Sequence, residues 1–117
     1  MQHSKRNRTL SRTRRGRTAL LRGLAISLFR DGQIQTTVAK AKELRPYVER
    51  LITIARTDTV ANRRIVASRL GEPSTVVISK VFKEVAPKYS ERDGGYTRII
   101  KVGVVTPGRE DAIIQLV

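Results

Sequence analysis

Lys5, Arg6, Arg8, Arg12, Arg14, Arg15, Arg17 and Arg22 fall between positions 5 and 22 with no carboxylate among them. The chemistry that such a run can do is binding. Seven of the eight are arginine, whose planar fork of N–H donors grips phosphate oxygens two at a time and stacks on bases. The groups that covalent or acid–base catalysis would need are scarce. There is no cysteine, and the single histidine, His3, sits inside the basic run without a second histidine to share a metal. As a lone histidine among arginines, His3 reads as a phosphate or base contact.

Two carboxylate pairs, Glu91 with Asp93 and Glu110 with Asp111, lie where turns are expected and read as solvated turn or capping residues. Gly94-Gly95 lacks the GxGxxG or GxxxxGK[ST] surroundings of a phosphate-cradling loop. It reads instead as a turn that needs positive φ before a strand at Tyr96. These residues predict a protein that is not an enzyme and needs no cofactor or metal.

The totals agree with that reading. The 117 residues carry 24 Lys+Arg against 10 Asp+Glu, a formal net charge of +14, while a 39% hydrophobic fraction is enough for one packed domain. An excess this large repels itself, and the usual compensating partner is nucleic acid, whose phosphates release counterions to Lys and Arg. The rival polyanion is a membrane surface. No apolar run approaches the 18 or so residues of a spanning helix, and no long amphipathic helix carries Trp, so neither a membrane nor a small-molecule substrate is expected as a partner.

The charge is uneven. Residues 1–30 hold nine basic groups and no acid, and the remaining 87 hold 15 basic and 10 acidic groups. This predicts a basic, extended N-terminal arm at 1–17, unable to order itself alone, attached to a milder globular domain at 18–117. The arm's Arg-rich, acid-free composition also fits an organellar transit peptide.

The elements that must position these groups follow from periodicity. A first helix is predicted from a cap at Thr18, with Leu20, Leu21, Leu24, Ala25, Leu28 and Phe29 at helical spacing and a stop at Asp31-Gly32. Gln33 to Thr37 reads as a short strand whose last residue caps a second helix, Val38 to about Arg56, kinked at Pro46. A third helix fits Val60 to Leu70, with Val60, Ala61, Ile65, Val66 and Leu70 apolar and Arg63, Arg64 and Arg69 on the other face. A fourth follows Pro73-Ser74, striped with Val77, Ile78, Val81, Phe82 and Val85, and ends before Pro87.

Strands are predicted at Tyr96 to Val105 and Ala112 to Val117, around a Thr106-Pro107-Gly108 turn. The order α-β-α-α-α-β-β implies a two-layer α+β fold with a small mixed three-stranded sheet. Tyr47, Tyr89 and Tyr96 remain as rings that could stack on bases, too few for a stacking platform. Recognition of RNA shape and phosphate is therefore expected, with a basic DNA-organising architectural protein as the alternative.

The run Ile34-Gln35-Thr36-Thr37-Val38-Ala39-Lys40-Ala41-Lys42-Glu43-Leu44-Arg45-Pro46 resembles the signature of the bacterial large-subunit ribosomal protein family seventeen of the L series, and Gly94-Gly95-Tyr96-Thr97-Arg98-Ile99 resembles its second hallmark. Leu51-Ile52-Thr53, Arg63-Arg64, Ala86-Pro87-Lys88-Tyr89, Arg92 and Leu116-Val117 match as well, in order along the chain. The resemblance implies a structural constituent of the large ribosomal subunit that binds large-subunit ribosomal RNA near the peptide tunnel exit, beside neighbouring ribosomal proteins.

It further implies a cytoplasmic ribosome, with an organellar one as the alternative, and an N-terminus that is working protein. By resemblance His3, Lys5, Arg8, Arg12, Arg17 and Arg22 enter RNA. Arg6, Arg14 and Arg15 from the charge run, and Lys40, Lys42, Arg63, Arg64 and Arg98 from the matching segments, complete the expected RNA-binding set. The chain departs from the family pattern at Gln2, Ser4, Asn7, Gly23 and Gln115, and its segment from Gly103 to Asp111 is shorter and less basic than usual.

Overall fold

A computed structural model describes residues 13–117. The arm residues His3, Lys5, Arg6, Arg8 and Arg12 lie outside the described residues, as does the expectation of an unordered arm for positions 1–12; residues 14–17, expected to belong to that extended arm, are instead the first turn of a helix. Helix α1 spans Arg14–Asp31 and starts one turn before the predicted Thr18. Thr13 is its cap: the hydroxyl accepts from the Gly16 N–H at 3.1 Å. The apolar spacing begins only at Leu20, but arginine is itself a good helix former, and a capped start lets the helix run back through Arg14–Arg17. At the other end Gly32, at φ 82°, bonds its N–H to the Leu28 carbonyl and closes the helix.

Strand β1 (Gln33–Thr37) passes without a loop into α2 (Val38–Ala55), because the Thr37 side chain accepts from the Lys40 N–H. Helix α2 is one uninterrupted helix that contains Pro46. Helix α3 covers Val60–Arg69, and α4 covers Thr75–Lys80. The last of these does not run on as a regular helix to Pro87. It widens into a π turn over Val81–Val85, in which the Ala86 N–H reaches the Val81 carbonyl, then tightens into a 3₁₀ turn over Ala86–Tyr89. Pro87 has no N–H to give to the preceding turn, which accounts for the change of winding.

Strands β2 (Thr97–Thr106) and β3 (Arg109–Leu116) form a hairpin, and the sheet order is β1-β3-β2. Both pairings are antiparallel, where a mixed sheet was expected. β1 and β2 do run the same way, but β3 inserts between them and runs against both, so no parallel pair forms. Helices pack on one face of the sheet in an α+β fold. Leu28, Phe29, Leu44, Val48, Ile52, Val81 and Phe82 meet Ala112 and Ile114 in a single core.

In α3 the expected apolar face divides: Val66 and Leu70 are buried, while Val60 and Ile65 are exposed. Tyr89 and Tyr96 are core residues with ring centroids 5.1 Å apart, which removes both as base-stacking candidates. Tyr47 is half-buried and packs on the core, with its hydroxyl bonded to the Arg69 carbonyl.

Candidate nucleic-acid interface

The predicted site residues fall into two groups, those whose charge is used inside the protein and those left facing water. Arg17 belongs to the first. Its guanidinium meets the buried carboxylate of Glu43 at 2.8 Å, locking the start of α1 against the second turn of α2. Arg22 reaches the C-terminus of α3, where its Nε and Nη2 donate to the carbonyls of Arg69 and Ser68 at 3.1 and 3.4 Å. A cation placed there satisfies carbonyls that have no partner within the helix and opposes the negative end of its dipole. Arg63 grips Asp58 with two bonds of 2.6 and 2.8 Å, and its guanidinium carbon lies 5.2 Å from the centroid of the Phe82 ring. The bond from Arg63 is the main reason the Asp58 carboxyl sits below its ordinary range, with burial opposing.

Arg14, Arg15, Lys42, Arg64 and Arg98 form the second group. All are exposed, and their side chains make no hydrogen bond or ion pair among the described residues. Lys40 is half-buried and likewise has no such partner. The Arg17–Glu43 contact brings the first turn of α1 beside the start of α2, so Arg14, Arg15, Lys40 and Lys42 gather at one end of the molecule. Arg64 stands apart on α3. Arg98 stands on β2 opposite Gln115, at the sheet.

The first turn of α1 holds basic side chains and no acid, and α2 also begins without one. Positive charge at a helix N-terminus adds to the partial charge of the unpaired N–H groups, an arrangement that an incoming anion relieves.

Two exposed arginines complete this surface and were absent from the expected set. Arg50 and Arg69 rim an open groove of about 480 Å³ between α2, α3 and the loop before β2, together with Pro46, Thr53 and Gly94. The signal for Arg50 was its position on the outer side of α2, opposite Val48, Leu51 and Ile52. It went unread because Arg50 directly follows Glu49 and lies outside the dense basic run at positions 5–22.

Both sequence signatures prove to be largely architectural. From the first, Thr37 caps α2, Ala41 and Leu44 enter the core, and Glu43 holds Arg17. From the second, Gly95 takes the positive φ expected of it, 66°, and Tyr96 is fully buried. The Tyr96 hydroxyl donates to the Arg92 carbonyl at 3.2 Å and meets Thr53 Oγ1 at 3.1 Å and Arg56 Nη1 at 3.3 Å. Arg56 also donates to the Ser90 carbonyl at 3.1 Å and lies 3.4 Å from Asp93, so the loop from Ser90 to Gly95 is drawn onto α2. Thr97 donates from its backbone N–H and its hydroxyl to one Glu49 oxygen, at 3.2 and 2.8 Å.

The carboxylate pairs read as turn residues separate in the same way. Glu91, Asp93 and Glu110 are exposed. Asp111 is buried, bonded by Arg109 at 2.8 Å and by Gln35 at 3.2 Å. The Arg109 bond holds its carboxyl below the usual carboxylate range, against the opposing effect of burial and with help from Gln35. Among the described residues no three His, Cys, Asp or Glu side chains gather as a metal site, and no helix is long and apolar enough to cross a membrane.

Comparison with known proteins adds two findings. A family model described as ribosomal protein L17 matches residues 20–117. A protein of Sphingopyxis alaskensis named large ribosomal subunit protein bL17 is 48% identical over 118 residues, spanning the whole of this chain and 84% of the relative.

Proposed function

Because the chain belongs to the ribosomal protein L17 family and is a structural constituent of the large ribosomal subunit, we propose that it works by binding and bracing large-subunit ribosomal RNA. The arm ahead of the Thr13 cap supplies the densest phosphate contacts. The globular domain, which takes in residues 14–17 as the first turn of α1, positions it and adds contacts of its own, beside neighbouring ribosomal proteins and near the peptide tunnel exit.

The observation that carries this reading is the set of exposed cations, Arg14, Arg15 and Lys42 with Lys40 beside them, at the end of the domain from which the acid-free arm leaves. No carboxylate lies between positions 1 and 30, and Glu43, which reaches that end, is engaged by Arg17. Phosphate neutralises that end while releasing counterions, and the exposed helix start of α1 reinforces the field.

Within this reading Arg17, Arg22 and Arg63 act through their internal bonds, which set the direction in which α1 and α3 present Arg14, Arg15 and Arg64. A competition between folded large-subunit ribosomal RNA and duplex DNA tests the proposal. RNA is expected to displace the chain from DNA at equal salt, and equal affinity for the two would sink the claim of RNA preference.

A further inference from the structure

The groove rimmed by Arg50 and Arg69 holds a combination of groups that phosphate binding alone does not call for. Both arginines are exposed, and neither side chain makes a hydrogen bond or ion pair among the described residues. Part of the wall is apolar, built from the half-buried Ile54 and the exposed Pro46, whose rigid ring stands inside α2 and offers a flat face. Glu49 lines the same groove, with 21% of its side chain exposed. Its Oε2 accepts from the Thr97 N–H and hydroxyl and lies 3.5 Å from Arg45 Nε, which leaves Oε1 as an acceptor without a partner among the described residues.

These features reject most occupants. An apolar side chain would cover Glu49 and leave Oε1 desolvated and unpaired. An acidic peptide would be repelled by Glu49 and by Asp93 on the lip, which is fully exposed although it lies 3.4 Å from Arg56. Duplex backbone would meet the same carboxylates and leave the apolar wall bare, and a basic peptide is turned away by Arg50 and Arg69. One unstacked nucleotide satisfies every group: phosphate for the arginines, a planar face for Pro46 and Ile54, and N–H donors on the base edge for Glu49. At about 480 Å³ the groove falls in the range of roughly 300–1,000 Å³ that small-molecule sites occupy. Guanine suits it best, because its Watson–Crick edge carries two adjacent donors, N1–H and the N2 amino group. Uracil presents one N–H between two carbonyl oxygens that a carboxylate repels.

We propose that this groove receives a single unstacked nucleotide of the large-subunit ribosomal RNA, with guanine preferred. The base lies against Pro46 and Ile54 with its donor edge to Glu49, and the phosphate is held by Arg50 and Arg69. The inference rests on the RNA-binding reading and adds base selection to it, which exposed cations by themselves do not supply.

The full chain is titrated with guanosine 5′-monophosphate while its amide resonances are followed by NMR, so that weak binding along the arm is told apart residue by residue. The amides of Thr53, Gly94 and Gly95 are expected to shift together and saturate at roughly millimolar nucleotide, with uridine 5′-monophosphate about tenfold weaker. Arg50→Ala combined with Arg69→Ala should weaken guanosine 5′-monophosphate about tenfold and leave guanosine, which has no phosphate, unchanged. Glu49→Gln keeps an oxygen for Thr97 and turns the free acceptor into a donor, so the preference for guanine over uracil should vanish while the circular dichroism stays the same.

Groove amides that stay still at about 50 mM nucleotide, or that respond equally to guanosine and uridine monophosphates, overturn the proposal. So does a hexaglutamate peptide that moves the same amides as strongly, which would assign the groove to an acidic protein segment. Binding of folded large-subunit ribosomal RNA by the same sample separates the two readings. If that RNA binds while the groove amides ignore guanosine 5′-monophosphate, the nucleotide site falls and the RNA reading stands; if that RNA does not bind, both fall.

Discussion

Replacing Tyr96 by Phe isolates the polar half of a buried residue while leaving its ring in place. The hydroxyl it removes donates to the Arg92 carbonyl and also meets Thr53 Oγ1 and Arg56 Nη1, at 3.1 to 3.3 Å. Arg56 Nε is already a buried donor without a partner among the described residues, so removing the hydroxyl oxygen adds to an existing deficit of acceptors in the cluster. Counted as two full bonds at about 0.5–1.5 kcal/mol each, these contacts give an expected loss of about 1–3 kcal/mol.

Tyr89→Phe is the matched control. It keeps the same ring pair but removes one bond, to the carbonyl of the exposed Val117 at 2.8 Å, where water can substitute, so about 0.5–1 kcal/mol is expected. Urea denaturation should show both variants with an unchanged slope, and the midpoint of Tyr96→Phe should move two to three times as far. In a domain this size each kcal/mol corresponds to about 4–8 °C in Tm. A Tyr96→Phe shift no larger than that of Tyr89→Phe would refute the hydroxyl as the tether of the Ser90 to Gly95 loop.

The two glycine positions of the first helix region should respond with opposite sign. Gly23 lies inside α1 with no atom within 4 Å of an added Cβ, so Gly23→Ala is expected to stabilise by about 0.5–1 kcal/mol. Gly32 is as open but sits at φ 82°, and Gly32→Ala should destabilise by about 1 kcal/mol, both read by thermal unfolding. Removing the cap in Arg22→Ala should cost about 1 kcal/mol and speed amide exchange in the last turn of α3; unchanged exchange there would deny Arg22 that role. Asp111 ionises below its ordinary range when folded, so its stabilisation is complete above about pH 4 and is lost as pH falls through the lowered value. Asp111→Asn should flatten that part of the acid limb in a series of unfolding measurements between about pH 6 and pH 2.

Periodicity read the elements well where one face is buried throughout. Leu21, Ala25, Leu28 and Phe29 on α1, and Leu44, Val48, Leu51 and Ile52 on α2, are core residues. It failed where the decisive fact is a partner distant in sequence. Nothing local says that Glu43 meets Arg17, that Arg22 caps α3, or that Tyr96 is wholly enclosed by Thr53, Arg56 and Arg92. Sheet direction was missed for the same reason, because it depends on where the last strand inserts. The start of α1 was placed too late because the apolar pattern stops at Leu20 while the helix, capped by Thr13, does not. For the binding surface, the sequence identifies basic side chains but not the fraction engaged internally. Arg14 and Arg15 are outward, yet Arg17, two residues on, is tied to a carboxylate 26 positions away.

That last point also moves the truncation that tests the arm. Removing residues 1–17 would take the cap and first turn of α1 and the Arg17–Glu43 contact with it, confusing loss of binding with loss of structure. A chain beginning at Thr13 keeps both. The most direct measurement compares this chain with the full one on a folded large-subunit ribosomal RNA fragment across salt. With six to ten phosphate contacts, affinity of the full chain should fall by roughly 10³ to 10⁵ between 50 and 200 mM salt. Loss of Lys5, Arg6, Arg8 and Arg12 should reduce the slope of log affinity against log salt by about 3, with a smaller slope persisting from the exposed cations of the domain. An undiminished slope in the shortened chain would contradict an arm that carries most of the RNA contact.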